Sequence, residues 1–510
     1  MPDAMVRHPA LVPAFDSGMP AGIVSDVMLK RSVESAAMLP YWDLTDTIVD
    51  GVEALRLAGE TYLPMFTDEH PKEYAYRLKL TKFTNIYRDT LEGLASKPFE
   101  DEVALVPDGD KPIPSEIVDF IENVDGSGNN LTIFSSGAFF NGINSALHWI
   151  FIDYDKPDPK VVSKADAKRV GLRPYWSHVL ARNVLDVQSK MIAGNEVLTY
   201  VKILEPGQPD HVRVFERFGD GSVTWTLYQK NDKPGNDGKT YFIPIDSGTI
   251  AIGIIPLVPF VTGRRDGRSW RIFPAMRDAA DLQIELYQQE SGLKFAKTLT
   301  AYPMLAGNGI KPPLEADGKT VSKIAVGPNK VLYAPPNPSG GQPGSWAYVE
   351  PNAQSLTFLA ADVKETINQL RELGRQPLTA SASNLTVVTT AVAAGKAKSA
   401  VKAWAFGLKD ALENALKITA MWMNLNPTVY APTVSVYTEF DEFMEGKDLD
   451  TLNSARDRGD ISRETYWDEL RRRSVLSPEF NSEVEEKRLL EELPGDGPDM
   501  EIDDNTPADA

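Results

Sequence analysis

The sequence predicts an α+β chain, mainly helical, on three observations. Two amphipathic helices of matched length flank a proline-rich insertion, a long Ala/Lys-rich helix follows them, and the middle of the chain carries β-branched and aromatic runs separated by turn residues. In the first helix Met276, Ala279, Ala280, Ile284 and Tyr287 recur at the three-and-four spacing that lines up one face, with Asp278, Gln283, Glu290 and Lys294 among the polar positions. The second repeats the pattern with Leu356, Leu359, Ala360, Val363, Ile367 and Leu370. At about 1.5 Å per residue, segments of roughly 20 to 25 residues span about 30 to 38 Å, so the two can lie side by side. One antiparallel pair hides one stripe of each helix, whereas copies of the pair around a ring bury both flanks. This order suits the wall of a tube better than a catalytic pocket.

From Ser32 to Lys97 the pattern is mainly helical. Tyr41, Leu44, Ile48, Val52 and Leu55 mark one helix, Tyr62-Leu63-Pro64 a break, and Leu78, Phe83, Ile86, Tyr87 and Leu94 a second helix ending near Lys97-Pro98. Ile117 to Val124 predicts a short helix, Asp125 to Asn129 a turn, and Leu131 to Trp149 a helix interrupted by Gly137 and Gly142. Strands are expected at 148–154, 196–204, 212–218, 222–229 and 240–243, with Phe218 to Ser222 the best hairpin turn because glycine supplies positive φ at no steric cost. Ile250 to Val261 predicts a buried strand pair or strand and turn. The insertion 300–352 holds nine prolines, with short strands expected at 323–326, 330–334 and 346–350. Arg375 to Leu378 leads into a Ser/Thr-rich loop at Thr379 to Thr386, and Thr389 to Asn424 is predominantly helical. Ser462 before Arg463-Glu464-Thr465, and Ser477 before Pro478-Glu479, are helix starts of a small C-terminal module. The last twenty residues hold eight acids and no base, the composition of a solvated, mobile tail.

The 510 residues, 42% of them apolar, suffice for large cores. With no cysteine, disulfides, thiol catalysis and cysteine-based zinc sites are excluded. No basic segment followed by an apolar stretch opens the chain, and the apolar run 250–261, broken by Gly253, Pro256 and Pro259, is too short to span a bilayer. A formal charge of −19 argues against tight wrapping of nucleic acid but permits a low-friction channel. Two unit charges about 10 Å apart in water repel by only about 0.4 kcal/mol.

No catalytic constellation is expected. The histidines His8, His70, His148, His178 and His211 are scattered, without metal-ligand spacing. Gly395-Lys396-Ala397 lacks the rest of a phosphate-binding loop. Asp153 to Asp158 lacks the glycine and the bidentate glutamate of a calcium loop. Acid pairs such as Glu216/Asp220 and Asp441/Glu442 are expected by chance among 72 acids. No cofactor is expected. Lys396, Lys398 and Lys402 either touch DNA phosphates or form a solvated helix face, and Lys294 and Lys297 stand under the same two readings. Trp404 and Trp422 are expected in core packing rather than as base-stacking platforms.

Several phrases, taken in order, resemble the portal, or head-to-tail connector, proteins of tailed double-stranded DNA bacteriophages. They are Tyr74 to Leu78 before Phe83 to Leu91 and Lys97-Pro98-Phe99; Ile255 to Phe260 before Asp281 to Gln288, with Tyr302 to Gly307 after it; and Gly459 to Thr465 before Leu470 to Arg473. The resemblance implies an elongated subunit with an N-terminal arm at 1–40, a wing at 41–274, a first stem helix at 275–299 and a clip at 300–352. A second stem helix at 353–373, a tunnel loop at 374–388, a long wing helix and return at 389–447, a small crown at 448–493 and the acidic tail at 494–510 complete it. It further implies a noncatalytic ring of twelve copies at one capsid vertex of the virion, assembled in the host cytoplasm. Double-stranded DNA would pass past Thr379, Ser381, Ser383, Asn384 and Thr386 of the tunnel loop. The implied partners are the terminase large subunit, a head-completion or tail adaptor and the major capsid protein, with no membrane. A monomeric adaptor or scaffolding protein, and an undetected hydrolase, are the rival expectations.

Overall fold

The computed structural model describes residues 22–107, 112–154, 171–235, 237–301, 304–308, 344–349, 353–375, 387–425, 432–438, 447–472, 475–476, 480 and 485–488. The chain is α+β, and with 48% helix and 24% strand among the described residues it is mixed rather than mainly helical. It divides into two compact units, residues 1–438 and 439–510.

In the first unit, within the stretch expected as an N-terminal arm, β1 (Ile23–Val24) pairs with a sheet edge and α1 (Ser25–Met28) follows. Helix α2 (Val33–Asp50) starts at Ser32, whose hydroxyl accepts from the Ser35 amide, and α3 (Val52–Ala58) continues past Gly51, where φ is +91°. The single helix expected up to Lys97 is instead two, α4 (Pro71–Leu80) and α5 (Ile86–Ser96). Asn85 restarts the second by accepting from the Arg88 amide, a cap the apolar spacing conceals. After β2 (Ala104–Val106) come α6 (Ser115–Ile121) and α7 (Leu131–Ser145). The interruption expected at Gly137 and Gly142 does not occur. At Gly142 the missing side chain admits the Phe260 ring, which would stand 2.3 Å from a Cβ there.

Two antiparallel sheets follow. Strands β3 (Leu147–Tyr154), β4 (Pro174–Leu180), β5 (Val184–Ile192), β6 (Asn195–Leu204), β7 (His211–Arg217), β8 (Val223–Lys230), β9 (Tyr241–Ile250) and β10 (Leu257–Val261) form a six-stranded sheet, β1-β9-β8-β7-β6-β5, and a three-stranded one, β10-β3-β4. The turn between β7 and β8 closes as expected, with Gly221 at φ +88°. Strand β9 is longer than predicted because Pro244 sits beside an irregularity opposite Leu227/Tyr228, where it breaks no regular ladder. The sheets meet through Phe151 on Phe215, ring centroids 5.6 Å apart, and through Arg213 on Asp153 at 3.0 Å. Thus Asp153, weighed as part of a calcium loop, is an ion-pair partner in a strand.

A short hairpin, β11 (Arg264–Arg265) with β12 (Ile272–Phe273), leads into helix α8 (Arg277–Ala301). Strands β13 (Met304–Asn308) and β14 (Ser345–Val349) pair with each other, and helix α9 (Ala353–Arg375) returns against α8. Helix α10 (Val387–Trp422) then packs on the three-stranded sheet, and β15 (Thr433–Ser435) pairs with β2. Along α10, Val401, Ala405, Leu408, Leu412, Ala415 and Leu416 are all fully buried. Each such leucine contributes about 1.5 to 3 kcal/mol of hydrophobic stabilisation. Trp404 is in the core as expected. Trp422 is half-buried and stacks on Tyr154 at 5.3 Å.

Polar side chains fix where these layers join. Tyr41 and Trp42 of α2 donate to the carbonyls of Asn144 and Ser145, satisfying the C-terminal end of α7. Trp176 donates to Thr419 of α10 at 2.8 Å. In the second unit, α11 (Lys447–Asp457) and α12 (Arg463–Arg472) pack together, and Ser462 accepts from the Thr465 amide at the expected helix start. The strands expected at 323–326 and 330–334, the helix start at Ser477, Asp441/Glu442, His8 and the acidic tail lie outside the described residues.

Candidate functional site

Helices α8 and α9 form an antiparallel pair whose root is built into the α+β body. On α9 the inward stripe is Leu356, Leu359, Val363, Thr366, Ile367 and Leu370, all buried or half-buried, as the three-and-four spacing predicts. Ala360, at the margin of the stripe, departs from the prediction and is exposed, and on the side away from the stripe Phe358 is 71% exposed. The pair therefore leaves one flank of α9 open to solvent in the single chain.

On α8 the main correction concerns Gln283, expected on the polar face and in fact fully buried. Its Oε1 accepts from the amides of Ile86 and Tyr87 at 2.9 Å each, and its Nε2 donates to the Thr84 carbonyl at 2.9 Å. The Tyr87 amide, unpaired at the start of α5, is thereby satisfied from a neighbouring helix, and the Ile86 amide and the Thr84 carbonyl gain a partner beyond their 3.1 Å bond to each other. Glu290 adds to this by accepting from the Thr84 amide at 3.0 Å and from its hydroxyl. Polarity alone suggested solvent; the unsatisfied start of α5 is the signal that places Gln283 inside.

About two turns beyond Gln283, Ser291 accepts from Arg77 of α4 at 3.1 Å and lies 2.9 Å from the Thr81 hydroxyl. Arg77 also pairs with Glu69, donates to the Pro64 carbonyl at 2.8 Å, and lies 4.0 Å over the Phe66 ring. The guanidinium's hydrogen bond holds the Glu69 carboxyl below the usual carboxylate range. Tyr287, fully buried, meets Phe83 edge-on at 5.7 Å. The root of α8 is thus fixed by buried polar contacts as well as apolar ones.

The expected DNA-facing residues are placed unevenly. Thr379, Ser381, Ser383, Asn384 and Thr386 lie outside the described residues. Lys294 and Lys297 are exposed on α8, with no ion pair among the described residues. Lys396 and Lys398 belong to the helical backbone of α10, though their side chains lie outside the described residues. Lys402 is exposed, 6.0 Å from the Phe406 ring centroid. These positions are not brought together into one described cluster.

Sequence reasoning also separated two histidines that the fold joins. His148 Nε2 and His178 Nδ1 are 2.9 Å apart on neighbouring strands, with the Phe134 ring stacked on His178 at 3.9 Å. Burial drives both below the ordinary histidine value, His178 to about 4. The pair is neutral, with His148 fully buried and His178 half-buried under the Phe134 ring, so it serves packing. Among the described residues no cluster of three metal-ligating side chains occurs, and no helix is long and apolar enough to cross a membrane.

A family model described as a domain of unknown function, DUF4055, matches residues 275–423, the segment from α8 through α10. No curated protein matches the chain. Among solved structures, a chain of the neck of a native gene transfer agent particle, computed with C12 symmetry, aligns at 11% identity and a TM-score of 0.32. That alignment covers 80% of this chain and 89% of the other. A chain of the virion of the native gene transfer agent particle aligns at 11% identity and a TM-score of 0.33, with the same coverage.

Proposed function

We propose that this chain is a noncatalytic subunit of a portal ring, through which double-stranded DNA is packaged into and ejected from a phage-type capsid. The observation that carries this reading is the α8/α9 pair, rooted by Gln283 and Arg77 in an α+β body, with the antiparallel strands β13 and β14 lying between the two helices in the chain. Such a pair leaves a flank open, with Phe358 on it, and a neighbouring copy of the same pair can cover that flank. In this reading twelve copies surround the duplex, the 379–386 loop meets it, and the insertion between the helices docks a terminase motor and later an adaptor. The negative charge of the chain keeps the duplex from adhering to the wall.

Native mass spectrometry and electron microscopy of the purified chain test the assembly. Closed rings near twelve copies are the expected result. A chain that stays monomeric at every concentration, alone and with capsid protein, overturns the ring and favours an adaptor.

A further inference from the structure

Between Gly263 and Met276 the chain carries four arginines, Arg264, Arg265, Arg268 and Arg271, and one acid, Asp266, in a protein whose formal charge is −19. They lie on the β11/β12 hairpin, and the four do not play the same part. Arg265 is structural. Its guanidinium pairs with Glu196 through two bonds of 2.8 and 3.0 Å and donates to the carbonyls of Arg268 and Ser269. It also lies 4.1 Å over the Trp270 ring, which in turn packs on the buried Trp149 at 5.0 Å. The tip is thereby tied to the core.

The other three guanidiniums face outward. Arg264, Arg268 and Arg271 are exposed and make no ion pair among the described residues, although Arg268 lies near enough to the Glu196 carboxylate to help hold it below its ordinary value. Arg264 and Arg271 both lie against the exposed ring of Phe273, at 5.3 and 5.5 Å from its centroid. The ring spaces two positive forks on a rigid support, which lowers the ordering cost of engaging a partner. A run of charge that only solvates the surface needs neither the anchoring through Arg265 nor the shared aromatic ring.

We propose that the Arg264/Arg268/Arg271 face of this hairpin binds the phosphate backbone of duplex DNA. Guanidinium forks match phosphate oxygens in pairs, and the overall negative charge confines attraction to this local patch. The idea rests on the reading that DNA passes the assembled protein.

The test uses the full chain and a fluorescent duplex of about 20 base pairs, with affinity measured between about 50 and 200 mM salt. Arg264→Ala/Arg268→Ala/Arg271→Ala should reduce the slope of log affinity against log salt by about 2.7, at about 0.9 for each phosphate no longer neutralised. The corresponding triple lysine variant should keep the slope while binding more weakly. An unchanged slope in the alanine variant overturns the proposal. So does displacement of the duplex by polyglutamate at equal charge concentration, which would assign the face to an acidic protein. Ring formation is read on the same samples. A slope change without rings keeps the hairpin and removes the channel, and rings with an unchanged slope do the reverse.

Discussion

Arg77 Nη2 lies 2.8 Å from Glu69 Oε2, with the two side chains only 2% and 3% exposed. Taking these charges out of water is costly, and the ion pair, the Ser291 and Pro64 bonds and the Phe66 ring together offset that cost.

Removing one partner leaves the other charge buried and uncompensated, so Arg77→Ala should destabilise the chain by about 3 to 5 kcal/mol. Arg77→Met with Glu69→Leu should lose much less, since neither charge remains. Urea unfolding followed by tryptophan fluorescence measures both, and equal losses in the single and double variants would contradict the account. Because the Glu69 carboxyl is lowered from its ordinary value of 4.5, its contribution is present above that pH and is lost as pH falls through the folded-state value. Stability measured from pH 6 downward should fall more steeply in the wild type than in the double variant.

Gln283 supplies a second prediction. Gln283→Met keeps the volume but strands the Tyr87 amide, while the Ile86 amide and the Thr84 carbonyl each lose one partner and keep their 3.1 Å bond to each other. One buried group left without a partner costs about 1 to 3 kcal/mol, and that is the expected loss. Amide hydrogen exchange localises the effect. Faster exchange at Tyr87 is expected, and protection there equal to the wild type would show that another group satisfies its amide.

How much of this was legible in the sequence depends on the range of the interaction. The inward stripe of α9 followed from spacing, because Leu356, Leu359, Val363 and Leu370 need only one helix to define a face. The gap between α4 and α5 did not, since Phe83 continues the apolar spacing while Asn85 restarts the helix. Strand β4 was missed because Pro174 opens it and Ser177 and His178 interrupt its apolar pattern. As an outer strand of its sheet, it tolerates that first proline. Gln283 was misplaced for another reason: its partners lie nearly two hundred residues away, and a polar residue that caps another helix looks like a surface residue until that helix is found. The arginine hairpin carried a visible Asp266-Gly267 turn and arginine run, yet its outward and inward arginines are distinguished only by Glu196 and Trp270.

His148 and His178 give the third prediction. Both are held neutral in the folded chain because burial disfavours the imidazolium; a charge on His178 further lowers His148, while the Asp125 carboxylate works against the lowering of His178. In the unfolded chain each binds a proton near its ordinary value of 6.5, whereas His178 does so in the fold only at about 4. The unfolded state therefore holds more protons across that interval, and stability must decline as pH falls from about 6.5 toward 4. Each unmatched proton adds a slope of about 1.4 kcal/mol per pH unit. His178→Gln keeps a polar partner for His148 without a titrating ring, so its stability should fall less steeply than the wild type over the same interval. Denaturation midpoints at pH 7, 6 and 5 decide the matter, and parallel pH profiles would mean that the histidine pair opens to solvent or finds a counter-charge before it is protonated.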